Sequence, residues 1–207
     1  MKIIRLITGD FKENTYIVVD EKSKRGALID PGDDSDAILS AMSPYEIVSI
    51  LLTHTHFDHI LGLTKVYEKN RVQVVVSEFE QNVITEGKMN PPDLIHFSKA
   101  LPKIHTVLKV RGEEIFSIDN LNIRVIATPG HTSGSLSFLI NDALFSGDTL
   151  FAKSIGRTDL PTGNFDEIMN SIKRLFELPG DTKVYPGHGD STTIAKRVQD
   201  FQNGSLY

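Results

Sequence analysis

Apolar residues along this chain fall mostly into short runs rich in Val, Ile, Leu and Phe, each bounded by Gly, Pro, Asn or Asp. That is the signature of strands separated by turns. The runs are TYIVVD (15–20), GALIDPG (26–32), IVSILLTH (47–54), VQVVVS (72–77), LNIRVIATPG (121–130), SLSFLIND (135–142), ALFSGDT (143–149) and KVYPGHG (183–189). The first residues also alternate as a strand does. Helical spacing is clearest in two places. DEIMNSIKRLFEL (166–178) puts Ile168, Ile172, Leu175 and Phe176 on one face. DSTTIAKRVQDF (190–201) offers Asp190 or Ser191 as N-cap and Ile194, Val198 and Phe201 as its stripe. Weaker helical patterns cover 34–42 and 60–69. With no internal repeat, low-complexity tract or linker, the pattern predicts one domain over 1–207. Residues 78–112 fit the scheme least, and a long irregular excursion of this kind predicts a lid or insertion.

Composition narrows the class. At 207 residues, 40% hydrophobic and 24% charged, the chain is long enough for a sizeable core. No stretch approaches the apolar length of a membrane span, and the polar break after Ile7 does not resemble a signal peptide. A net charge of −5 disfavours nucleic acid as a partner. With no cysteine there is no disulfide and no thiolate metal site, so a metal centre has to be built from His, Asp and Glu. These features predict a cytoplasmic protein with neither nucleic acid nor membrane as partner; they leave its oligomeric state open, and a small-molecule substrate is implied only by the resemblance described below.

The chemistry is concentrated in HTHFDH, which sets His54, His56, Asp58 and His59 at the end of a strand. His54 and His56 are two apart, so on extended backbone both point to one side. Three more candidate ligands follow strands in the same way: His131 after VIATPG, Asp148 after ALFSG and His188 after KVYPG. His96 and His105 lack that context and read as ordinary loop or core residues. If the strand ends lie together, five imidazoles and two carboxylates converge. Seven ligands exceed the four of a tetrahedral zinc site. Two ions with Asp148 bridging accommodate them: His54, His56 and His131 on one, and Asp58, His59 and His188 on the other. A water or hydroxide bridging ions about 3.5–4 Å apart is a nucleophile usable near neutral pH.

HTHFDH, TPGHTSGS, FSGDTLF and YPGHG, in that order, resemble the metal signature of the metallo-β-lactamase superfamily over residues 12–190. The resemblance implies an α/β fold, a four-layer αββα sandwich with the site at one edge between two sheets. SIGRTDLPTGN (154–164) is similar to the glyoxalase II-like hydrolases, especially short bacterial members, and also to persulfide dioxygenases. It implies that Arg157 and Asp159 lie near the metals, as substrate contacts or as an internal pair holding the loop. Thr132 and Ser133 are expected to orient backbone and ligand.

The implied activity is hydrolysis of a thioester such as S-lactoylglutathione by a metal-bridging hydroxide, with Asp58 orienting that nucleophile as well as ligating. Two divalent ions are expected, zinc first, with iron or manganese as alternatives. The 19 residues after His188 leave no room for the helical glutathione-binding domain of full-length glyoxalase II. The absent cysteine ligand and the GRTD stretch argue against antibiotic hydrolysis. The main alternative is a mononuclear iron persulfide dioxygenase with His54, His131 and Asp148 on the metal. A lactonase or phosphodiesterase comes after that.

Overall fold

In the computed structural model, which describes residues 1–33, 36–86 and 104–205, the apolar runs pair into two six-stranded sheets. The first holds β1 (Lys2–Thr8), β2 (Glu13–Val19), β3 (Arg25–Ile29), β4 (Glu46–Leu51), β5 (Gln73–Ser77) and β6 (Val107–Val110), in that spatial order. β1 to β3 are antiparallel, and β3 to β6 are parallel. The second holds β7 (Ile115–Ile118), β8 (Leu121–Ala127), β9 (Leu136–Ile140), β10 (Ala143–Gly147), β11 (Lys183–Pro186) and β12 (Thr192–Thr193), ordered β12-β11-β10-β9-β8-β7. There β10 and β11 are the parallel pair, while β8–β9, β9–β10 and β11–β12 are antiparallel.

By internal contact the chain divides into two units, Met1–Val110 with Ser117–Leu121, and Arg111–Phe116 with Asn122–Tyr207. In the first, α1 (Asp36–Met42), α3 (Leu63–Asn70) and α4 (Gln81–Glu86) bury Ile38, Met42, Leu63, Val66, Val83 and Ile84 against Ile17, Leu28, Ile50 and Val74. Val18, Ala27, Leu51 and Val75, which alternate with those strand residues, are buried as well. Burial on both faces is why these strands read as continuous apolar runs instead of alternating. In the second unit α5 (Phe165–Leu175) and α6 (Ile194–Gln202) bury Ile168, Ile172, Leu175 and Ile194 against Ile126, Leu144 and Val184. No helix among the described residues is long and apolar enough to cross a membrane.

Two helix starts differ from expectation. Residues 192–193 pair with β11 (Thr192 with Val184, Thr193 with Lys183), so they are strand, and the cap of α6 moves on to Thr193. The Thr193 side chain accepts from the Lys196 amide. The helix expected from Ile60 is two pieces, α2 (Phe57–Ile60) and α3. It is interrupted where the Gly62 amide donates to the Pro31 carbonyl at 2.7 Å, a bond that ties the break to the end of β3. Apolar spacing could not register either tertiary bond. β6, β7 and α4 were not predicted at all; their runs are only four to six residues long. Of the expected insertion at 78–112, residues 87–103, with Asn90-Pro91-Pro92 and His96, lie outside the described residues.

Candidate metal centre

The first unit carries four of the expected ligands on the segment that leaves β4. Because β3, β4 and β5 run parallel as neighbours, their C-terminal ends lie side by side, the position where open α/β sheets place ligands. Asp30 follows β3, Thr53 to His56 follow β4 and Glu80 follows β5. Asp30 is buried and takes the Thr53 amide (2.8 Å) on Oδ1. Its Oδ2 takes the Thr53 hydroxyl (2.6 Å) and His59 Nδ1 (2.9 Å). It does so from a left-handed backbone position, φ +46°, which is uncommon outside glycine and tolerated best by Asn and Asp. The rings of His54 and His56 lie edge to face with centroids 4.7 Å apart, and His54 and His59 are 4.1 Å apart. His54 and His59 are buried; His56 and Asp58 are half-buried.

Glu13 stands behind His59, its Oε1 3.8 Å from Nδ1. Burial pushes its carboxyl well above the usual carboxylate range, against the opposing pull of His59. Glu13 Oε2 lies 2.8 and 2.9 Å from the hydroxyls of Thr8 and Thr15, and the Thr15 oxygen also meets the Asp30 carbonyl (2.7 Å) and the Gly32 amide (3.1 Å).

The second unit carries the other three. β10 and β11 are parallel neighbours, so Asp148 and His188 follow adjacent C-terminal ends, and the Gly187 amide donates to the Gly147 carbonyl at 2.8 Å. Gly147 makes the turn into Asp148 at φ +49°, a backbone setting that costs glycine nothing. Asp148 Oδ2 is 3.7 Å from His131 Nε2 and 3.6 Å from His188 Nε2. Those separations are too long for hydrogen bonds. They are close to the roughly 3.3 Å between two donors that share a tetrahedral cation at about 2.0–2.1 Å.

The tautomers fit a cation as well. His131 Nδ1 lies 2.8 Å from the Arg157 carbonyl, which only accepts, so Nδ1 carries the proton. The Thr53 hydroxyl hydrogen goes to Asp30, so His54 Nδ1, 3.0 Å away, must donate to that oxygen. His59 Nδ1 donates to Asp30. All three rings thus carry their proton on Nδ1 and present the Nε2 lone pair, with the outer nitrogen held as in metal sites generally.

Arg157 contributes through its main chain. Its guanidinium forms a two-bond pair with Asp159 (Nε to Oδ1 2.8 Å, Nη2 to Oδ2 2.7 Å), and both side chains are exposed. Thr132 is buried and closes the 130–135 turn: its amide and hydroxyl meet Ser135 Oγ at 3.1 and 2.8 Å. The Ser133 amide bonds Thr162 Oγ1 at 3.4 Å. His105 bonds through its amide to the Tyr67 hydroxyl, in keeping with an ordinary loop residue. The chain returns close to Asp148 at Gly156, where a Cβ would fall 1.8 Å from the Asp148 carbonyl. α6 grips the intervening loop through Arg197, which is buried. Its guanidinium donates to the Ala152 and Ser154 carbonyls at 3.5 and 3.4 Å and to Asp200 at 3.2 Å.

Sequence reasoning missed Asp30, Glu80, Glu13 and Arg197. Asp30 had a signal, since IDPG puts an acid directly after a strand, the very context that singled out Asp148. The others had none.

The metallo-β-lactamase superfamily pattern matches residues 8–188, a span of most of the chain within which the seven candidate ligands fall. The chain belongs to the metallo-β-lactamase superfamily. A probable metallo-hydrolase of Streptococcus pyogenes serotype M6 is 38% identical over 94% of this chain and 86% of its own length. A hydroxyacylglutathione hydrolase, GloC, of Haemophilus influenzae is 31% identical over 93% of this chain and 94% of its own. Among solved structures, the BLEG-1 B3 metallo-β-lactamase has a TM-score of 0.85 at 29% identity, covering 96% of this chain and 97% of that one. TTHA1623 in a di-iron-bound form has 0.80 at 29%, covering 95% and 97%. ETHE1 from Myxococcus xanthus has 0.78 at 29%, covering 100% and 84%. The fold is therefore the α/β fold of this superfamily, with a metallo-hydrolase as the shared theme of its relatives.

Proposed function

We propose that the two units form one domain whose seven ligands hold two divalent metal ions, and that the protein is a cytoplasmic thioester hydrolase of the glyoxalase II type. His54, His56 and His131 would serve one ion, and Asp58, His59 and His188 the other. Asp148 would be shared, as its equal reach to His131 and His188 suggests. The observation that carries the reading is the common Nδ1-protonated tautomer of His54, His59 and His131, each held by an acceptor that leaves Nε2 for a cation. Such ions supply Lewis acidity to a carbonyl and bring the pKa of water to about 7. The chain's own part is orientation. Asp58, half-buried on α2, would accept a hydrogen bond from the attacking water and orient it. A thiolate is a good leaving group, so no acid is needed to protonate it. The 31% identity to GloC supports a thioester over an ester or phosphodiester.

A second reading is a mononuclear iron persulfide dioxygenase using His54, His131 and Asp148; the GRTD stretch fits both classes, and the di-iron form of one solved neighbour supports iron as the metal without favouring a one-iron site. The test pairs metal stoichiometry with parallel assays on zinc- and iron-loaded protein. They follow thiol release from S-lactoylglutathione, oxygen uptake with glutathione persulfide, and opening of a chromogenic β-lactam. Two ions per chain and one thiol per turnover without oxygen uptake is the expected result. Oxygen uptake by the iron form without thioester cleavage selects the dioxygenase, and rapid β-lactam opening alone rejects both.

A further inference from the structure

The geometry points to Glu80 as a positioning residue for the HTHFDH ligand loop, an inference that rests on the metal reading above. After β4 the chain bends at Thr53; the rings of His54 and His56 pack edge to face, while the hydroxyls of Thr53 and Thr55 go to two different carboxylates. Each threonine is gripped twice by a buried carboxylate. Asp30, from the end of β3, takes the amide and hydroxyl of Thr53. Glu80, from the end of β5, takes the amide and hydroxyl of Thr55 on a single oxygen, Oε2, at 2.6 and 2.8 Å. β3 and β5 are the two strands that flank β4. The loop is therefore held from both sides, by acids 50 residues apart in the chain, at alternate positions on either side of His54.

The two grips differ in reach. Asp30 touches a ligand ring directly through His59 Nδ1. The bonds of Glu80 end on Thr55, whose neighbours on both sides are imidazoles. Glu80 is itself fixed: it is 6% exposed, its amide donates to the Ser77 carbonyl at 3.1 Å, and its carbonyl accepts from Val83 at the start of α4. Thr55 is buried too, so no water replaces Glu80 as acceptor for its amide without a shift of the loop. Such a shift moves Thr55 and with it the imidazoles on either side, His54 and His56. Glu80 thus sets where the His54–His56 pair points.

The test is cobalt(II) uptake by the full chain, read as stoichiometry, as affinity in competition with a chromophoric chelator, and as the cobalt d–d absorption bands. Melting temperature is measured alongside. Glu80→Ala is expected to bind one of two cobalt ions about 10–100-fold more weakly, as for other outer partners of ligands, with displaced bands. Glu80→Gln keeps an oxygen acceptor for Thr55 and is expected to restore affinity and bands. Glu80→Ala with wild-type affinity and spectrum overturns the inference while leaving the metal reading intact. Failure of Glu80→Gln to rescue overturns it too, since charge rather than position would then matter. A wild-type chain that takes up no cobalt overturns the metal reading and the inference with it. Should Glu80→Ala not fold, Thr55→Val, which deletes only the hydroxyl bond, is expected to shift the bands in the same direction. Unchanged bands there overturn the inference.

Discussion

The ligand sets of the two units are built by opposite means. The first unit gathers four candidate ligands into six consecutive residues and fixes them with buried acids from neighbouring strand ends, Asp30 and Glu80, with Glu13 behind, its carboxyl pushed up by burial. The second spreads three ligands over 58 residues, one after each of three strands. It fixes them with main chain: the Arg157 carbonyl on His131, Gly147 turning into Asp148, and the Gly156 return against the Asp148 carbonyl. A contiguous motif on a loop needs rigid side-chain anchors, because one segment must set several directions at once. Ligands taken singly from strand ends inherit their direction from the sheet. On the proposed metal reading, the first set is sensitive to acids outside it, and the second to its own members and to the loop from 149 to 157.

The sharpest break falls in the second unit. Asp148→Ala removes the carboxylate that lies equally near His131 and His188, and is expected to abolish turnover and reduce bound metal by more than Asp58→Ala does. kcat/KM and metal content of the two variants decide this. Asp148→Ala with both ions and full turnover would mean that the second unit's ligands do not share a cation. In the first unit Asp30→Ala is the matching cut. It strands the Thr53 amide, the Thr53 hydroxyl and His59 Nδ1 in a buried setting, at about 1–3 kcal/mol for each unsatisfied group. A lower melting temperature should accompany a 10–100-fold loss of metal affinity. If Asp30→Ala melts lower yet binds metal as before, the acid anchors serve the fold and not the ligands.

How much of this could be read from the chain follows the same division. The seven candidate ligands stood out because four cluster in HTHFDH after β4 and the other three follow strand runs closed by a glycine, and such runs are readily picked out by their Val, Ile and Leu. Of the anchors only Asp30 left a signal, the acid of IDPG directly after β3. Glu80 meets Thr55 only because β5 pairs beside β4, and a register set by backbone pairing leaves no trace in local composition. Arg197 falls by spacing on the face of Ile194, Val198 and Phe201, but its charge alone would send it to solvent; it is 1% exposed because its guanidinium finds carbonyls of a loop more than 40 residues earlier. The cap of α6 and the break before α3 were misplaced for the same reason: each depends on one bond to a distant segment.

Arg197→Met probes whether the second unit's main-chain scheme needs a side-chain support at all. It deletes bonds to Ala152 and Ser154, while Asp200 keeps its pairing with Lys196. A loss of about 1–3 kcal/mol in unfolding free energy is expected, the range for buried hydrogen-bonding groups. Metal affinity should fall less than in Asp30→Ala. Denaturant unfolding and the cobalt competition on the same preparations check both halves. A fall in affinity as large as that of Asp30→Ala would erase the contrast between the units.

The smallest effect belongs to the exposed pair in the loop after Asp148. The Arg157 guanidinium beside Asp159 holds that carboxyl down at about 2, below its ordinary 3.8. A carboxyl depressed in the folded state adds stability that is present above the unfolded value and is lost as pH falls through the folded one. Its contribution therefore disappears between about pH 4 and pH 2. Exposed pairs of this kind are screened by salt and add little. Asp159→Asn should accordingly leave the melting temperature at pH 7 nearly unchanged. It should flatten the part of the stability–pH curve that lies between pH 4 and pH 2. His131 is held by the Arg157 carbonyl and not by its guanidinium, so metal affinity should not change either. A marked loss of metal or of thioester turnover in Asp159→Asn would show that the guanidinium, once released, reaches the site. The second unit would then depend on side-chain anchoring as the first does.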